Sequence, residues 1–185
     1  MPDEIIDPTG RAGFRLPEKL YLTGLAGRRP DLAGARVGLL HNSKRNSDLL
    51  LGDIGDLLVT EHSAAAVTLA QRKAAFALPE VEAVVAEYRR RCDVVVIGVG
   101  DCGSSSASAV ADGMLLEQAG VPAAVICTEA FVATADAMAE LRGAPEYDYV
   151  VTEHPVAALT REQVRQRARY LVSEVVPLLT AAGPV

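Results

Sequence analysis

Cys102 has the clearest chemical potential in this sequence, because it lies in a glycine- and serine-rich segment directly after an apolar run. Residues 100–106 have the sequence GDCGSSS, and a run of small residues with helical spacing follows them. A thiol just before a helix is exposed to the helix dipole and to backbone N–H groups, both of which lower a thiol pKa. The pattern predicts a thiolate nucleophile, and Gly103, Ser104 and Ser105 beside it are predicted substrate contacts.

Two other interpretations of this segment remain open. The N–H groups at the start of the helix would also bind a phosphate or carboxylate, with Cys102 incidental to that role. Alternatively, the glycines would serve only a tight turn. The segment does not follow the usual GxGxxG pattern of a dinucleotide site.

Three side chains with acid–base chemistry are expected close to the thiol. Asp101 precedes it, Glu129 follows Thr128 at the end of a second apolar run, and His154 follows a third run. Each is a candidate for proton transfer in a covalent mechanism, and Thr128 is a candidate substrate contact. The charge of Asp101 would oppose thiolate formation unless its carboxylate points away from the sulfur.

A polar segment with the sequence HNSKRNS, residues 41–47, follows the first apolar run. Lys44 and Arg45 would supply positive charge to an anionic substrate and to the thiolate. His41 is a further candidate acid or base. Substrate contacts are predicted for Asn42, Ser43, Lys44 and Asn46.

The remaining cysteines are Cys92 and Cys127. Cys127 is interpreted as a buried small apolar side chain, with a second hypothesis in which it forms a reversible disulfide with Cys102. Cys92 is predicted to be structural. The cysteine spacings match no zinc motif, so no metal site and no bound cofactor are predicted.

The elements that must position these groups alternate along the chain. Apolar, β-branched segments predict five strands, at residues 36–40, 57–60, 93–98, 123–127 and 147–152. Helical spacing predicts a helix after residue 47 and further helices at residues 63–91 (broken near Pro79), 104–119, 129–142 and 159–179.

Apolar strands joined by helices predict a parallel sheet covered on both faces. Right-handed crossovers then favour a flavodoxin-like, doubly wound α/β fold with strand order 2-1-3-4-5. Ligands of such sheets bind beyond the carboxyl ends of the strands, at the switch point between strands one and three. The segments after strands one, three, four and five all meet at that edge.

Length and composition restrict the class of protein. The 185 residues fit one α/β domain at 36–185, preceded by an irregular arm at 1–35. A net charge of −6 argues against a nucleic-acid partner. No apolar run approaches the ~20 residues that span a bilayer, and no signal peptide is apparent. A cytoplasmic protein, oligomeric with itself or with another chain, is expected.

Several ordered motifs resemble the UGSC family of proteins and selenoproteins, which is related to the selenoprotein B subunit of glycine and sarcosine reductases. The resemblance extends over residues 35–165 and rests on HNSKRN at 41–46, GDCGSS at 100–105, GVP at 120–122, CTE at 127–129 and HP at 154–155. It implies that Cys102 occupies the position of the family's reactive selenocysteine or cysteine. It further implies reductive cleavage of a carbon–heteroatom bond.

One departure from the family pattern changes the expected chemistry. Ser105 stands where the family has a second cysteine, and a serine cannot resolve a disulfide. Either Cys127 then takes that role, with a thiol reductant as a partner, or Cys102 works without a redox cycle as a hydrolase, hydratase, lyase or transferase. A different class of function is a small-ligand-binding or accessory subunit of a larger complex.

Overall fold

The computed structural model describes residues 22–75, 79–80 and 82–181. These residues form a sheet of five strands: β1 (Arg36–His41), β2 (Ala66–Arg72), β3 (Val94–Gly100), β4 (Ala123–Thr128) and β5 (Val150–Thr152). The helices are α1 (Ser47–Glu61), α2 (Glu82–Arg91), α3 (Gly103–Gln118), α4 (Val132–Leu141) and α5 (Arg161–Leu179). Short 3-10 helices cover Glu129–Phe131 and Val156–Ala158.

The strands are parallel and their order is β2-β1-β3-β4-β5, which confirms the predicted doubly wound α/β fold. Alternate side chains of β3 enter two separate cores. Val94 and Val96 face the core on the side of α1 and α5, whereas Val95 and Ile97 face the core on the side of α2, α3 and α4. Every residue of β3 is buried, as expected for a central strand covered on both faces.

Two predicted elements are wrong. The segment expected as a second strand, at 57–60, is the last turn of α1, whose buried Leu50, Leu51, Ile54 and Leu58 recur at helical spacing. The true second strand, β2, lies within the stretch predicted as the helix 63–91, of which only the last part is helical. Strand β2 is an edge strand with several half-exposed side chains, and parallel pairing with β1 holds it in the sheet. Its own apolar pattern is weak, because such strands depend on their neighbours more than on intrinsic propensity.

The described part of the predicted arm, residues 22–35, is tied to the domain through Glu117 near the end of α3. The Glu117 carboxylate accepts hydrogen bonds from the Ala26 N–H (2.7 Å), the Ala123 N–H (2.9 Å) and both Nη atoms of Arg28 (2.7 and 2.9 Å). These donors compensate a side chain that is 0 % exposed. Residues 1–21 of the arm lie outside the described residues.

Within the described ranges, no helix combines the length and the apolar character needed to cross a membrane.

Candidate active site at the carboxyl edge of the sheet

Four segments meet where β1, β3, β4 and β5 end. The Asn42 side-chain amide donates to the Val99 carbonyl, which links the ends of β1 and β3. The Thr128 hydroxyl donates to the Gly100 carbonyl over 3.1 Å, which links the ends of β3 and β4. The predicted meeting point at this edge is therefore present, and Cys102 lies inside it.

Cys102 is the N-cap residue of α3, and its backbone is extended. Its side chain is half-buried. The sulfur lies 3.1 Å from the Ser105 Oγ and 3.6 Å from the Ser104 Oγ. The thiol is thus partly accessible to solvent, and two serine hydroxyls of the first turn of α3 lie within hydrogen-bond distance of it.

Ser105 has a single hydroxyl hydrogen and several neighbours. Its oxygen accepts the N–H groups of Asp101 and Cys102, each over 3.1 Å. A neutral thiol donates to this oxygen as well. Once the thiol has lost its proton, the sulfur can only accept, and a charged acceptor draws the serine hydrogen more strongly than the Cys102 carbonyl, which lies 3.2 Å away. Ser105 therefore favours the thiolate.

The pKa of the Cys102 thiol reflects a competition. Burial raises this pKa, but hydrogen bonds from the Ser105 hydroxyl, the Ser104 hydroxyl, the Ser105 N–H and the Lys44 side chain outweigh it. Together they lower the pKa from 9.0 to about 7. Near neutral pH about half of the molecules then carry a thiolate, the nucleophilic form of cysteine.

Asp101 points away from the thiol and toward His154. Its carboxylate lies 2.9 Å from the Nδ1 of His154 and accepts the N–H groups of Val156 (3.3 Å) and Ala157 (3.2 Å). The Asp101 side chain is only 4 % exposed. The backbone donors and the imidazole therefore compensate its buried charge.

His154 is held by three neighbours. Its Nδ1 faces the Asp101 carboxylate and lies 3.2 Å from the Thr128 hydroxyl, and its ring packs edge-on against Phe131 at 5.4 Å. The carboxylate favours the proton on Nδ1, which leaves Nε2 as the basic atom of the neutral ring. The two acid–base candidates from distant segments are thus one hydrogen-bonded pair.

Asn42 and Asn46, predicted as substrate contacts, use their amide donors within the protein. Asn46 is buried in a left-handed conformation (φ 69°), and its side chain donates to the carbonyls of Val156 (3.0 Å) and Leu159 (2.9 Å). It therefore holds the same 3-10 helix whose N–H groups bind Asp101. Asparagine tolerates left-handed backbone better than most residues, which explains its use at this turn.

Glu129 lies at one side of the site, exposed at the start of its 3-10 helix. It borders a groove of about 490 Å³ between the end of β5 and α5, lined by Glu129, Val151, Thr152, Glu153, Leu159, Gln163, Gln166, Arg167 and Tyr170. Two lining residues of the groove, Glu129 and Glu153, are adjacent in sequence to Thr128 and His154 of the thiol site. Cys102 itself does not line the groove.

Arg167 is a polar residue of this groove that the sequence interpretation missed. It donates to the Thr152 hydroxyl over 2.7 Å and to the Glu153 carboxylate over 2.6 Å. Arg167 lies in the middle of α5, and the sequence around it does not indicate that its side chain reaches the end of β5.

The two other thiols differ from Cys102. Cys127 is fully buried, and although Ser106 forms a hydrogen bond to it, burial raises its pKa to about 12. Cys92 is also buried, near the start of β3 at the opposite end of the sheet, and burial raises its pKa. No disulfide joins any of the three cysteines.

In the part of the chain that the structure describes, no group of three or more His, Cys, Asp or Glu side chains is placed to hold a metal ion. His41, at the end of β1, has a buried Nδ1 for which no described residue provides a partner, and burial lowers its pKa.

Comparison with known proteins gives one match. The sequence profile of the UGSC family matches residues 4–181. Neither the curated proteins nor the solved structures include a chain that matches this one.

Proposed function

The chain belongs to the UGSC family, and from this premise we propose that it is an enzyme whose Cys102 forms a covalent intermediate with a small anionic or amino-acid-like metabolite. The observation that carries the proposal is the environment of the thiol. The Cys102 thiol is half-buried at the start of α3, and the hydrogen bonds that it receives lower its pKa to about 7. Structural cysteines are buried and have raised pKa values, as Cys127 does.

In this proposal the Cys102 sulfur attacks an electrophilic carbon of the substrate. The negative charge that develops is stabilised by Lys44 and by the N–H groups of Gly103 and Ser104, which have no acceptor within the helix because they belong to its first turn. The same groups favour a substrate that carries a carboxylate or another anionic group.

His154 is the proposed proton donor and acceptor. Its Nε2 protonates the leaving group, while Asp101, 2.9 Å from Nδ1, stabilises the charged imidazole and keeps the ring oriented. Glu129 is a second candidate for proton transfer at the groove side of the site. Thr128 orients His154 from the end of β4.

The family resemblance suggests reductive cleavage of a carbon–heteroatom bond. The heteroatom group leaves as the Cys102 sulfur bonds to carbon, one external thiol then attacks that sulfur and the carbon leaves with a proton, and a second external thiol frees Cys102 as the two thiols leave as a disulfide. A second candidate is a non-redox hydrolase, hydratase, lyase or transferase. It is favoured by the hydroxyl of Ser105 at the position of the family's second cysteine, 3.1 Å from the sulfur. The burial of Cys127 also favours it, because a thiol with a pKa of about 12 is a poor resolving nucleophile.

The test is selective labelling followed by a search for the substrate. The wild-type chain, Cys102→Ala and Cys127→Ala are treated with iodoacetamide at neutral pH, and the modified peptides are identified by mass spectrometry. We expect fast modification at Cys102 alone, which disappears in Cys102→Ala and persists in Cys127→Ala. Incubation with a metabolite extract should then add the mass of a substrate fragment to the Cys102 peptide.

Two results would contradict the proposal. One is a Cys102 thiol that reacts no faster than free cysteine. The other is a chain that binds a small molecule only with a partner chain and equally well after Cys102→Ala. The second result would support an accessory subunit of a larger complex.

A further inference from the structure

A second polar cavity lies at the opposite, amino end of the sheet. Its volume is about 380 Å³, within the range of about 300–1,000 Å³ typical of small-molecule sites. It is lined by Gly27, Arg29, Arg36, Arg89, Cys92, Asp93, Ala119, Gly120, Val121 and Pro122. Three of its four charged residues are arginines from three different parts of the chain, although the whole protein carries a net charge of −6.

One of these arginines is neutralised. The Arg36 guanidinium binds both carboxylate oxygens of Asp93, at 2.9 and 3.1 Å, and donates to the Arg90 carbonyl at 3.1 Å. This hydrogen-bonded pairing lowers the pKa of Asp93, so the carboxylate is charged at neutral pH. The pair contributes no net charge, and Arg29 and Arg89 leave the cavity with an excess of two positive charges.

Arg29 is held in place with most of its donors unused. Its backbone bridges to Thr180, and its carbonyl accepts the Ala181 N–H over 2.7 Å. Its Nη2 donates to the Ala33 carbonyl over 2.9 Å, whereas its Nε is buried and meets no acceptor among the described residues. Among the described residues no carboxylate forms an ion pair with this guanidinium, so an anion in the cavity would compensate its charge.

Arg89 lies in the last turn of α2, where its charge also complements the helix dipole. Helix α3 ends in backbone hydrogen bonds, from the Ala119 N–H to the Leu115 carbonyl and from the Val121 N–H to the Leu116 carbonyl. At the end of α2, Arg36 binds the Arg90 carbonyl. Arg89 is exposed beside the cavity. Arg29 and Arg89 are therefore available to a ligand.

We propose that this cavity binds a phosphate group, either inorganic or part of a phosphorylated small molecule, between Arg29 and Arg89. A phosphate dianion matches the excess of two positive charges, and guanidinium groups bind phosphate oxygens with paired N–H donors. The site is separate from the Cys102 site, since the two lie at opposite ends of the strands. It does not depend on the function proposed for Cys102.

The experiment measures the melting temperature of the full chain against inorganic phosphate and pyrophosphate, at constant ionic strength set with sodium chloride. We expect a saturable rise in melting temperature. Arg89→Gln, an exposed position that leaves the fold intact, should weaken the apparent affinity by about tenfold or more, and Arg29→Lys should weaken it less than Arg29→Gln. Arg90→Gln is the matched control, because its side chain does not line the cavity, and should retain the wild-type response.

Lys44→Gln distinguishes the two ends of the sheet. If phosphate binds in the amino-end cavity, this variant keeps the full response. The proposal is overturned if no saturable shift occurs at constant ionic strength, or if Arg89→Gln and Arg29→Gln both respond as wild type does. It is also overturned if Lys44→Gln alone abolishes the response, since phosphate would then bind near Cys102.

Discussion

Cys102 and Cys127 show how the same side chain acquires opposite chemistry in one small domain. Consecutive serines of α3 form hydrogen bonds to them, Ser105 to Cys102 and Ser106 to Cys127. Yet the pKa of Cys102 is lowered to about 7, whereas that of Cys127 is raised to about 12. One serine hydroxyl is therefore not sufficient to activate a thiol.

The two pKa values differ because hydrogen-bond donors lower a thiol pKa and burial raises it, and the two cysteines differ in both. Cys102 is half-buried and receives hydrogen bonds from two hydroxyls, one N–H group and the Lys44 side chain. Cys127 is 0 % exposed, and its one serine partner does not offset the loss of hydration. The lowered pKa is thus produced by the start of α3 together with Lys44 from the loop after β1.

The largest expected effect is from Ser105→Cys, which would place a thiol where the hydroxyl now lies 3.1 Å from the Cys102 sulfur. We expect nearly complete disulfide formation between positions 102 and 105 under mild oxidation, and loss of Cys102 alkylation. Non-reducing peptide mapping measures it. Ala107→Cys, farther along α3, is the control and should form no disulfide with Cys102. Free thiols at both 102 and 105 would contradict the geometry.

Asp101→Asn tests whether a reactive thiolate is enough for turnover. The neutral amide cannot stabilise a charged His154 and permits the wrong tautomer, so we expect turnover to fall by about 100-fold or more. The hydrogen bonds to the Cys102 sulfur do not involve this carboxylate. The alkylation rate of Cys102 at neutral pH should therefore change by less than about threefold. Equal losses in turnover and alkylation would mean that Asp101 acts on the thiol itself.

The unit around Cys102 is predictable from the sequence because its signals are local. An apolar run, a glycine-rich turn and a small-residue helix place β3 and α3 within two residues of their observed bounds. Strand β2 is different, because it is half-exposed and its stability depends on pairing with β1. Its residues therefore resemble a helix when considered alone.

The pair formed by Asp101 and His154 also combines features that are local in the sequence with a contact that is not. Asp101 and His154 are each recognisable as residues that follow a strand, but their 2.9 Å contact depends on the N–H groups of Val156 and Ala157. No local pattern encodes that contact. An asparagine such as Asn46 likewise has the same sequence signature whether its amide binds a substrate or, as here, a neighbouring carbonyl.

Ser105→Ala and Ser106→Ala compare the two serine partners directly. Removal of the Ser105 hydroxyl deletes a donor to the thiolate, so the pKa of Cys102 should rise from about 7 toward 9.0. A rise of about one unit lowers the thiolate fraction near pH 7 by about fivefold. The alkylation rate should fall by that factor and recover at higher pH. Ser106→Ala should leave the pH profile of Cys102 close to that of the wild type.

The smallest expected effect is on the free energy of unfolding. Ionisation of Cys102 is expected to stabilise the fold, and ionisation of Cys127 is expected to destabilise it. The pKa of Cys102 is lowered on folding, from 9.0 to about 7. Its ionisation therefore stabilises the fold most fully above pH 9.0, and the gain is lost as the pH falls through 7. Because the thiol is only half-buried, solvent screens its interactions, and we expect this gain to be less than about 1 kcal/mol.

Cys127 opposes folding above pH 9.0, because its pKa is raised to about 12 and the thiol of the unfolded chain ionises first. The free energy of unfolding, measured with urea below pH 7, at pH 9.0 and above pH 9.0, separates the contribution of Cys102 from that of Cys127. Cys102→Ala should lose the gain between pH 7 and 9.0, and Cys127→Ala should lose the decline above 9.0. Parallel pH profiles for the two variants would show that the thiols do not differ in the folded chain, which would remove the physical basis for assigning the nucleophile to Cys102.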